Sequence, residues 1–242
     1  MNNEYTSLKE YIDNANNIVF FGGAGVSTES GIPDFRSTDG LYSMKFKYPP
    51  ETMVSHSFFI THPQEFYEFY KEKLIYPDAL PNKAHIALAE LEKQGKLRAI
   101  ITQNVDNLHQ MAGSINVLEL HGSGMRYYCM ECGENYGLDA IMEAQDIPYC
   151  TCGGIIRPDV VLYEESLDQS ILEKSVSAIA EADVLIVGGT SLNVYPAAGL
   201  LRYYNGDKLV LINKTETSYD NHASIIIRNP IGEALGTIVL GE

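Results

Sequence analysis

The sequence predicts an α/β protein: a parallel sheet built from strand–helix–strand steps, carrying a smaller unit made of insertions. Strand-like apolar runs alternate with helix-periodic segments, two of those runs end in glycine turns, and all four cysteines fall in one short stretch. At 242 residues, 45% hydrophobic and 20% charged, the chain has material for one large domain, or for one with a modest satellite.

No run of about eighteen apolar residues occurs, and Met1-Asn2-Asn3-Glu4-Tyr5 lacks the basic start and apolar core of a signal peptide. A cytoplasmic protein with no membrane partner is therefore expected. The formal charge of -15 opposes binding a phosphate backbone, so no nucleic-acid partner is expected either. The same charge would attract lysine-rich peptides, although solubility is the stronger explanation of an acidic surface.

In chain order, Leu8, Tyr11, Ile12 and Ala15 mark an amphipathic helix, and Ile18 to Phe21 a buried strand that the following glycines must end. Gly23 and Gly25 form a G-x-G turn whose third glycine position holds Thr28. A helix opening there would aim free N–H groups at an anion. From the glycines alone, a phosphate cradle and a bare strand-to-helix turn fit equally well. The continuation Gly31-Ile32-Pro33-Asp34-Phe35-Arg36 tips the balance. It places an aromatic ring, a carboxylate and a guanidinium on a proline-stiffened loop, a costly arrangement for a connector.

Thr38 to Tyr76 reads as a small helical insertion, with Pro63 suited to a helix start and Phe66, Phe69 and Tyr70 on one core-facing stripe. A helix from Asn82 to Gln94, with Ile86, Leu88, Ala89 and Leu91 as its apolar residues, ends near Gly95 and feeds the strand Leu97 to Ile101. That strand runs into the polar cluster Thr102-Gln103-Asn104-Val105-Asp106-Asn107-Leu108-His109, at the end where open parallel sheets bind ligands. The strand Asn116 to Leu120 then delivers His121-Gly122-Ser123. A lone histidine there is usually structural; beside two other polar strand ends, His121 becomes a candidate general base.

Cys129, Cys132, Cys150 and Cys152 read C-x2-C, a seventeen-residue gap, then C-x-C. In a chain without a secretory signal this favours tetrahedral thiolate zinc over disulfides, and four sulfur ligands imply a structural Zn2+ that holds a small subdomain together. The acidic neighbours Glu131, Glu134, Asp139, Glu143 and Asp146 argue against a nucleic-acid-binding zinc ribbon.

Beyond the cysteines come a helix from Asp168 to Ala182, the strand Val184 to Val187, Gly188-Gly189-Thr190-Ser191, a helix from Pro196, and the strand Lys208 to Ile212 closing on Asn213. This is a second nucleotide-binding pattern. Asn213 stands about twenty positions past the glycine turn, where a ribose hydroxyl is normally held. Two glycine turns and a polar strand end on one sheet point to a whole dinucleotide, NAD.

Gly23 to Arg36, Thr102 to Asp106, Leu120-His121-Gly122, the cysteine quartet and Gly189-Thr190-Ser191 through Asn213 together resemble the sirtuins, in family order over nearly the whole chain. The resemblance implies a Rossmann-type sheet with helices on both faces over residues 1–37, 77–122 and 158–242. It also implies a small domain made from the helical insertion 38–76 and the zinc-bearing insertion 123–157. The implied activity is NAD-dependent lysine deacetylation of the bacterial type on acetyl-lysine proteins, an acyl transfer to ADP-ribose, with a monomer expected. By analogy, Ala24, Thr28, Phe35 and Arg36 would line the phosphate and nicotinamide-ribose region. Gln103, Asn104, Val105 and Asp106 would shape the nicotinamide pocket, and Thr190, Ser191, Asn213 and Ile231 would hold the adenosine half. His121, Asn104 and Asp106 would carry the catalysis: the acyl oxygen captures the ribose C1′ as nicotinamide leaves, and His121 deprotonates a ribose hydroxyl that attacks the product of that step. Asp106 would hold the nicotinamide amide in a strained pose.

The chain departs from the family pattern in two places. Asp106-Asn107 replaces the family's Asp-Gly or Asp-Asp, and Leu162-Tyr163-Glu164-Glu165 stands where Phe-Gly-Glu is common. The second departure bears on peptide sequence preference. Tyr67-Glu68-Phe69-Tyr70 carries no arginine like that of succinyl-preferring relatives, so neutral acyl groups are expected. Two competing readings remain, an ADP-ribosyltransferase using the same pocket and a non-catalytic NAD-sensing module.

Overall fold

A computed structural model describes residues 3–35, 40 and 46–241. Arg36 and Ser37 lie outside the described residues, as do 38, 39 and 41–45 of the helical insertion. Nine strands are described: β1 (Ile18–Gly22), β2 (Leu97–Thr102), β3 (Val117–Glu119), β4 (Gly122–Cys129), β5 (Asn135–Tyr136), β6 (Ile156–Val160), β7 (Val184–Gly188), β8 (Leu209–Ile212) and β9 (Ile225–Ile227). The described α-helices are α1 (Asn3–Asn14), α2 (Pro50–Met53), α3 (His56–Thr61), α4 (Pro63–Lys73), α5 (Lys83–Lys93), α6 (Leu108–Met111), α7 (Asp139–Met142), α8 (Gln169–Glu181) and α9 (Ile231–Leu235). Among the described residues no helix is long and apolar enough to cross a membrane.

Six parallel strands form the main sheet, in the order β3-β2-β1-β7-β8-β9. Its strands are apolar on both faces, as a parallel sheet covered by helices requires. Along β1, Ile18 and Phe20 enter one core with Leu8 and Ile12 of α1, Leu88 and Leu91 of α5, and Leu235 of α9. Val19 and Phe21 alternate into a second core with Ile179 of α8 and Leu200 and Leu201. The same alternation splits Val184 and Ile186 from Leu185 and Val187 on β7.

Pairing brings the carboxyl ends into line. Gly22 lies opposite both Thr102 and Gly188, and Thr102 lies opposite Glu119. The strand order reverses between β1 and β7. That reversal is the topological switch point at which such sheets open a crevice for ligands.

A second, antiparallel sheet, β5-β4-β6, rises directly from the His121 strand end. The aromatic stripe packs beneath it. Phe58, Phe59, Phe66, Tyr67, Phe69 and Tyr70 share one core with Tyr127, Cys129, Ile141, Cys150 and Ile156, so the helical and cysteine-bearing segments are buried against each other. The Tyr67 hydroxyl donates to the Ile156 carbonyl, and Lys71 Nζ donates to the carbonyls of Ala144 (2.6 Å) and Asp146 (3.2 Å).

Two expected helices differ. After β1 the chain makes two 3₁₀ turns, Ala24–Val26 and Thr28–Ser30, the second ending at Gly31 with φ +85°. The segment after Pro196 is likewise 3₁₀, from Ala197 to Tyr203, with the Gly199 N–H on the Pro196 carbonyl at 3.0 Å. The first pair crosses the Gly188-Gly189 strand end within backbone contact, where closure from i to i+3 makes a narrower coil than an α-helix, and the 197–203 segment packs against α8.

Candidate active site

The glycines after β1 and β7 lock the two strand ends together. The Gly23 N–H donates to the Gly188 carbonyl at 3.3 Å and the Gly25 N–H to the Gly189 carbonyl at 2.8 Å. A Cβ on Gly25 would lie 2.8 Å from the Gly189 backbone, and one on Gly189, whose φ is +58°, would lie 2.3 Å from Val26 N. The N–H groups of Val26 and Ser27 are bonded to Gly23 and Ala24 carbonyls. The expectation of a helix start aiming its amides at an anion is thus corrected for these residues. Gly189→Ala should cost several kcal/mol, by analogy with other overpacked sites, and thermal unfolding read alongside NAD affinity should show both falling.

Residues 103–106 at the end of β2 reach both turns. The Gln103 side-chain amide donates to the Gly22 carbonyl (3.3 Å) and to Thr190 Oγ1 (3.1 Å). Ser27 Oγ donates to Asp106 Oδ2 at 2.6 Å and accepts from Asn104 Nδ2 at 3.0 Å. Asp106 Oδ1 takes the Leu108 N–H at 3.0 Å, and the Val105 carbonyl takes the Gly124 N–H at 2.8 Å. Thr28 Oγ1 closes on the Gly25 carbonyl at 3.0 Å, with Ala24 half-buried beside it.

His121 joins the same group. Its Nδ1 lies 2.9 Å from the Gln103 carbonyl oxygen, and a carbonyl can only accept. Nδ1 therefore carries the proton, and Nε2 presents the lone pair. Burial pushes the imidazole below its ordinary pKa, with the Gln103 carbonyl pulling partly the other way. At neutral pH the ring is an uncharged base.

The adenosine-side candidates follow the carboxyl ends of β7, β8 and β9. Thr190 is buried and Ser191 half-buried behind β7. Asn213 ends β8, and its side-chain amide donates to the Thr215 carbonyl at 2.9 Å. Ile231 opens α9. Its side chain is buried in the core, and a Cβ on Gly188 would lie 2.2 Å from its Cδ1. Phe35 is 36% exposed on the loop after the second 3₁₀ turn.

The sequence reading missed Ser27, which bridges Asn104 and Asp106. Its only signal was a small hydroxyl inside the glycine turn. That reading placed His109 in the polar cluster after β2 but missed His85, whose buried ring lies 4.8 Å from that of His109, near Asp106. Burial lowers His85 to about 4 and His109 to about 3. A histidine buried neutral stabilises the fold above its unfolded pKa of about 6.5, and that contribution fades as pH falls toward these values.

The four cysteine Sγ atoms all lie within 4.8 Å of one another, with Cys129 and Cys150 buried. A tetrahedral zinc with bonds of about 2.3 Å sets its sulfurs about 3.8 Å apart, so the cluster fits the ion. The Cys152 N–H (3.5 Å) and the Tyr136 hydroxyl (3.0 Å) both point at Cys150 Sγ and lower that thiol to about 6, which favours the thiolate a metal needs.

Two glycine turns locked together at a topological switch point, an uncharged histidine bonded to the neighbouring strand end and a cluster of four sulfurs define an α/β protein of the dinucleotide-binding class. The chain belongs to the Sir2 family, which residues 23–196 match. It is 60% identical over 236 residues, 96% of each chain, to the NAD-dependent protein deacetylase of Clostridium acetobutylicum. Its counterpart in Clostridium perfringens is 58% identical over 243 residues, covering 99% of this chain and 100% of that one. A solved Sir2 complex with deacetylated p53 peptide and 3'-O-acetyl ADP-ribose superposes with a TM-score of 0.90 at 40% identity, covering 98% and 97% of the two chains. A Sir2–p53 peptide–NAD+ complex superposes at 0.85 with 40% identity over 97% of each.

Proposed function

We infer that the protein is an NAD-dependent protein-lysine deacetylase, releasing nicotinamide, O-acetyl-ADP-ribose and the free lysine. The observation that carries this reading is the uncharged His121, tethered through Nδ1 to the carbonyl of Gln103 within a hydrogen-bonded set that includes Ser27, Asn104 and Asp106. Bound NAD supplies the nicotinamide leaving group and the ADP-ribose that accepts the acyl group. His121 receives a hydroxyl proton at Nε2, and its tether keeps that lone pair aimed into the crevice. Ser27 holds the Asp106 carboxylate and the Asn104 amide in one orientation, which presents an acceptor and a donor to a carboxamide.

In this reading Ala24, Thr28, Phe35 and Arg36 lie along the phosphates and the nicotinamide ribose, with Gln103 and Val105 beside the nicotinamide. Thr190, Ser191, Asn213 and the backbone at Ile231 take the adenosine half. The NAD-binding body is 1–37, 77–122 and 158–242, the insertions 38–76 and 123–157 form the small domain, and β6 is the passage between them. The substrates are acetyl-lysine proteins, and neutral acyl groups are preferred because Tyr67-Glu68-Phe69-Tyr70 of α4 contains no arginine, while Arg157, near Tyr67, is already paired with Glu165 at 2.9 Å. The enzyme acts as a cytoplasmic monomer.

The test is a panel of acetylated, propionylated and succinylated lysine peptides with NAD, the products followed by mass spectrometry. Acetyl turnover with one nicotinamide released per lysine is the expected result. ADP-ribose attached to protein would make the chain a transferase, and NAD binding without nicotinamide release would make it a sensor.

A further inference from the structure

The turn that carries Ala24 and Thr28 cannot hold itself in place. It is two 3₁₀ turns of three residues each, joined at Ser27, and coils this short owe their position to what grips them. One grip is the Gly25–Gly189 bond already described. A second is Glu29, whose carboxylate accepts the Gly232 N–H at 2.7 Å and fills the space a Cβ on Gly232 would occupy.

The third grip is Asn82. Its side-chain Nδ2 donates to the Val26 carbonyl at 2.8 Å and to Ser30 Oγ at 3.0 Å, so one amide holds both 3₁₀ turns. The rest of the residue is fastened to α5. Its Oδ1 caps the helix by accepting the Ala84 N–H at 2.9 Å, its N–H donates to His85 Nδ1 at 3.2 Å, and its carbonyl accepts from Ile86 N at 3.1 Å. α5 is itself anchored, with Ala84, Ala87, Leu88 and Leu91 fully buried in the core.

We propose that Asn82 is a positioning residue for the cofactor: it passes the rigidity of α5 to the turn bearing Ala24 and Thr28, and so sets NAD affinity without touching NAD. The proposal rests on the reading of that turn as an NAD contact. It separates two jobs of one side chain, because Oδ1 serves the helix and Nδ2 serves the turn.

Asn82→Asp tests the separation. An aspartate keeps the helix cap and adds a favourable charge at the helix N-terminus, but it turns an acceptor oxygen toward the Val26 carbonyl. Asn82→Ala loses both jobs. The full-length variants are compared with wild type by calorimetric NAD titration, by steady-state kinetics with NAD and acetyl-lysine peptide varied in turn, and by amide hydrogen exchange without ligand. For Asn82→Asp the thermal midpoint stays near wild type, exchange quickens at the amides of Val26 to Gly31, and both the Kd and KM for NAD rise roughly five- to tenfold while the peptide KM is unchanged. Asn82→Ala shows the same loss of affinity together with a lower thermal midpoint. Wild-type NAD affinity in Asn82→Asp, or unchanged exchange at the turn, overturns the proposal. Wild-type protein that fails to bind NAD overturns the cofactor reading itself and the proposal with it, and that is read before any variant is made.

Discussion

His121→Ala should lower deacetylation by about a thousandfold, within the range that loss of a general base commonly produces, while NAD affinity changes by less than about threefold. The ring's fixed hydrogen bond is made from Nδ1 to the carbonyl of Gln103, whose backbone N–H is in turn anchored on the Gly22 carbonyl at 3.0 Å. Truncating the ring therefore leaves the two glycine turns and the Ser27–Asp106 bond standing. The missing part is the lone pair at Nε2. Stopped assays for nicotinamide and calorimetric titration with NAD separate the two effects. A variant that keeps its turnover removes His121 from the chemistry.

The same base sets a pH dependence whose sign follows from burial. Desolvation lowers the His121 pKa from its ordinary value of about 6.5, so the ring stays neutral through the physiological range. As pH falls through that lowered value the ring takes up a proton, Nε2 ceases to accept, and kcat/KM drops by about tenfold per pH unit. The acid limb of the profile lies below pH 6.5 and disappears in His121→Ala.

Much of this site could be read from the chain because strand ends announce themselves locally. Val19 to Phe21 and Val184 to Val187 are consecutive apolar residues that stop at glycine, and the register of β1 with β7 brings Gly22 opposite Gly188. Placing His121, Asp106 and Thr190 near each other needed only the rule that parallel strands present their carboxyl ends on one edge. The cysteine spacing was likewise sufficient to foresee one cluster.

Other features depended on contacts that leave no periodic trace. Ser27 and Asp106 are 79 positions apart, and Asn82 and Val26 are 56 apart, so neither bond shows in a local pattern. The 3₁₀ turns arose where the chain had to pass the Gly188-Gly189 backbone within contact distance, a tertiary constraint that overrode the expected helix. Ile231 is a cofactor contact by family resemblance alone, and that its side chain also packs against the bare Cα of Gly188 shows only in three dimensions. In each case the deciding atom belongs to a distant segment.

Removing the metal should have the other large effect, reaching His121 without touching it. β4 starts at Gly122, directly after His121, and ends at Cys129, a ligand candidate, so one eight-residue strand links the base to the cluster. Its partners are short: β5 has two residues and β6 five, and Cys129 and Cys150 are part of the same core as Tyr127 and Ile156. Without a metal to tie them, four clustered sulfurs have no net attraction to offset the chain entropy of the loops they close. Structural zinc in small peptides contributes about 10 kcal/mol or more. Chelation or Cys150→Ala should therefore loosen β4 to β6, quench the near-ultraviolet circular dichroism of Tyr127 and Tyr136, and abolish turnover. The main sheet should keep its far-ultraviolet signal, because its two cores are built from β1, β2, β7 and β8 with α1, α5 and α8. Elemental analysis should find one zinc per chain before treatment. Full activity in protein shown to be zinc-free would mean that the aromatic core alone holds β4 and that the sulfurs are not its fastening.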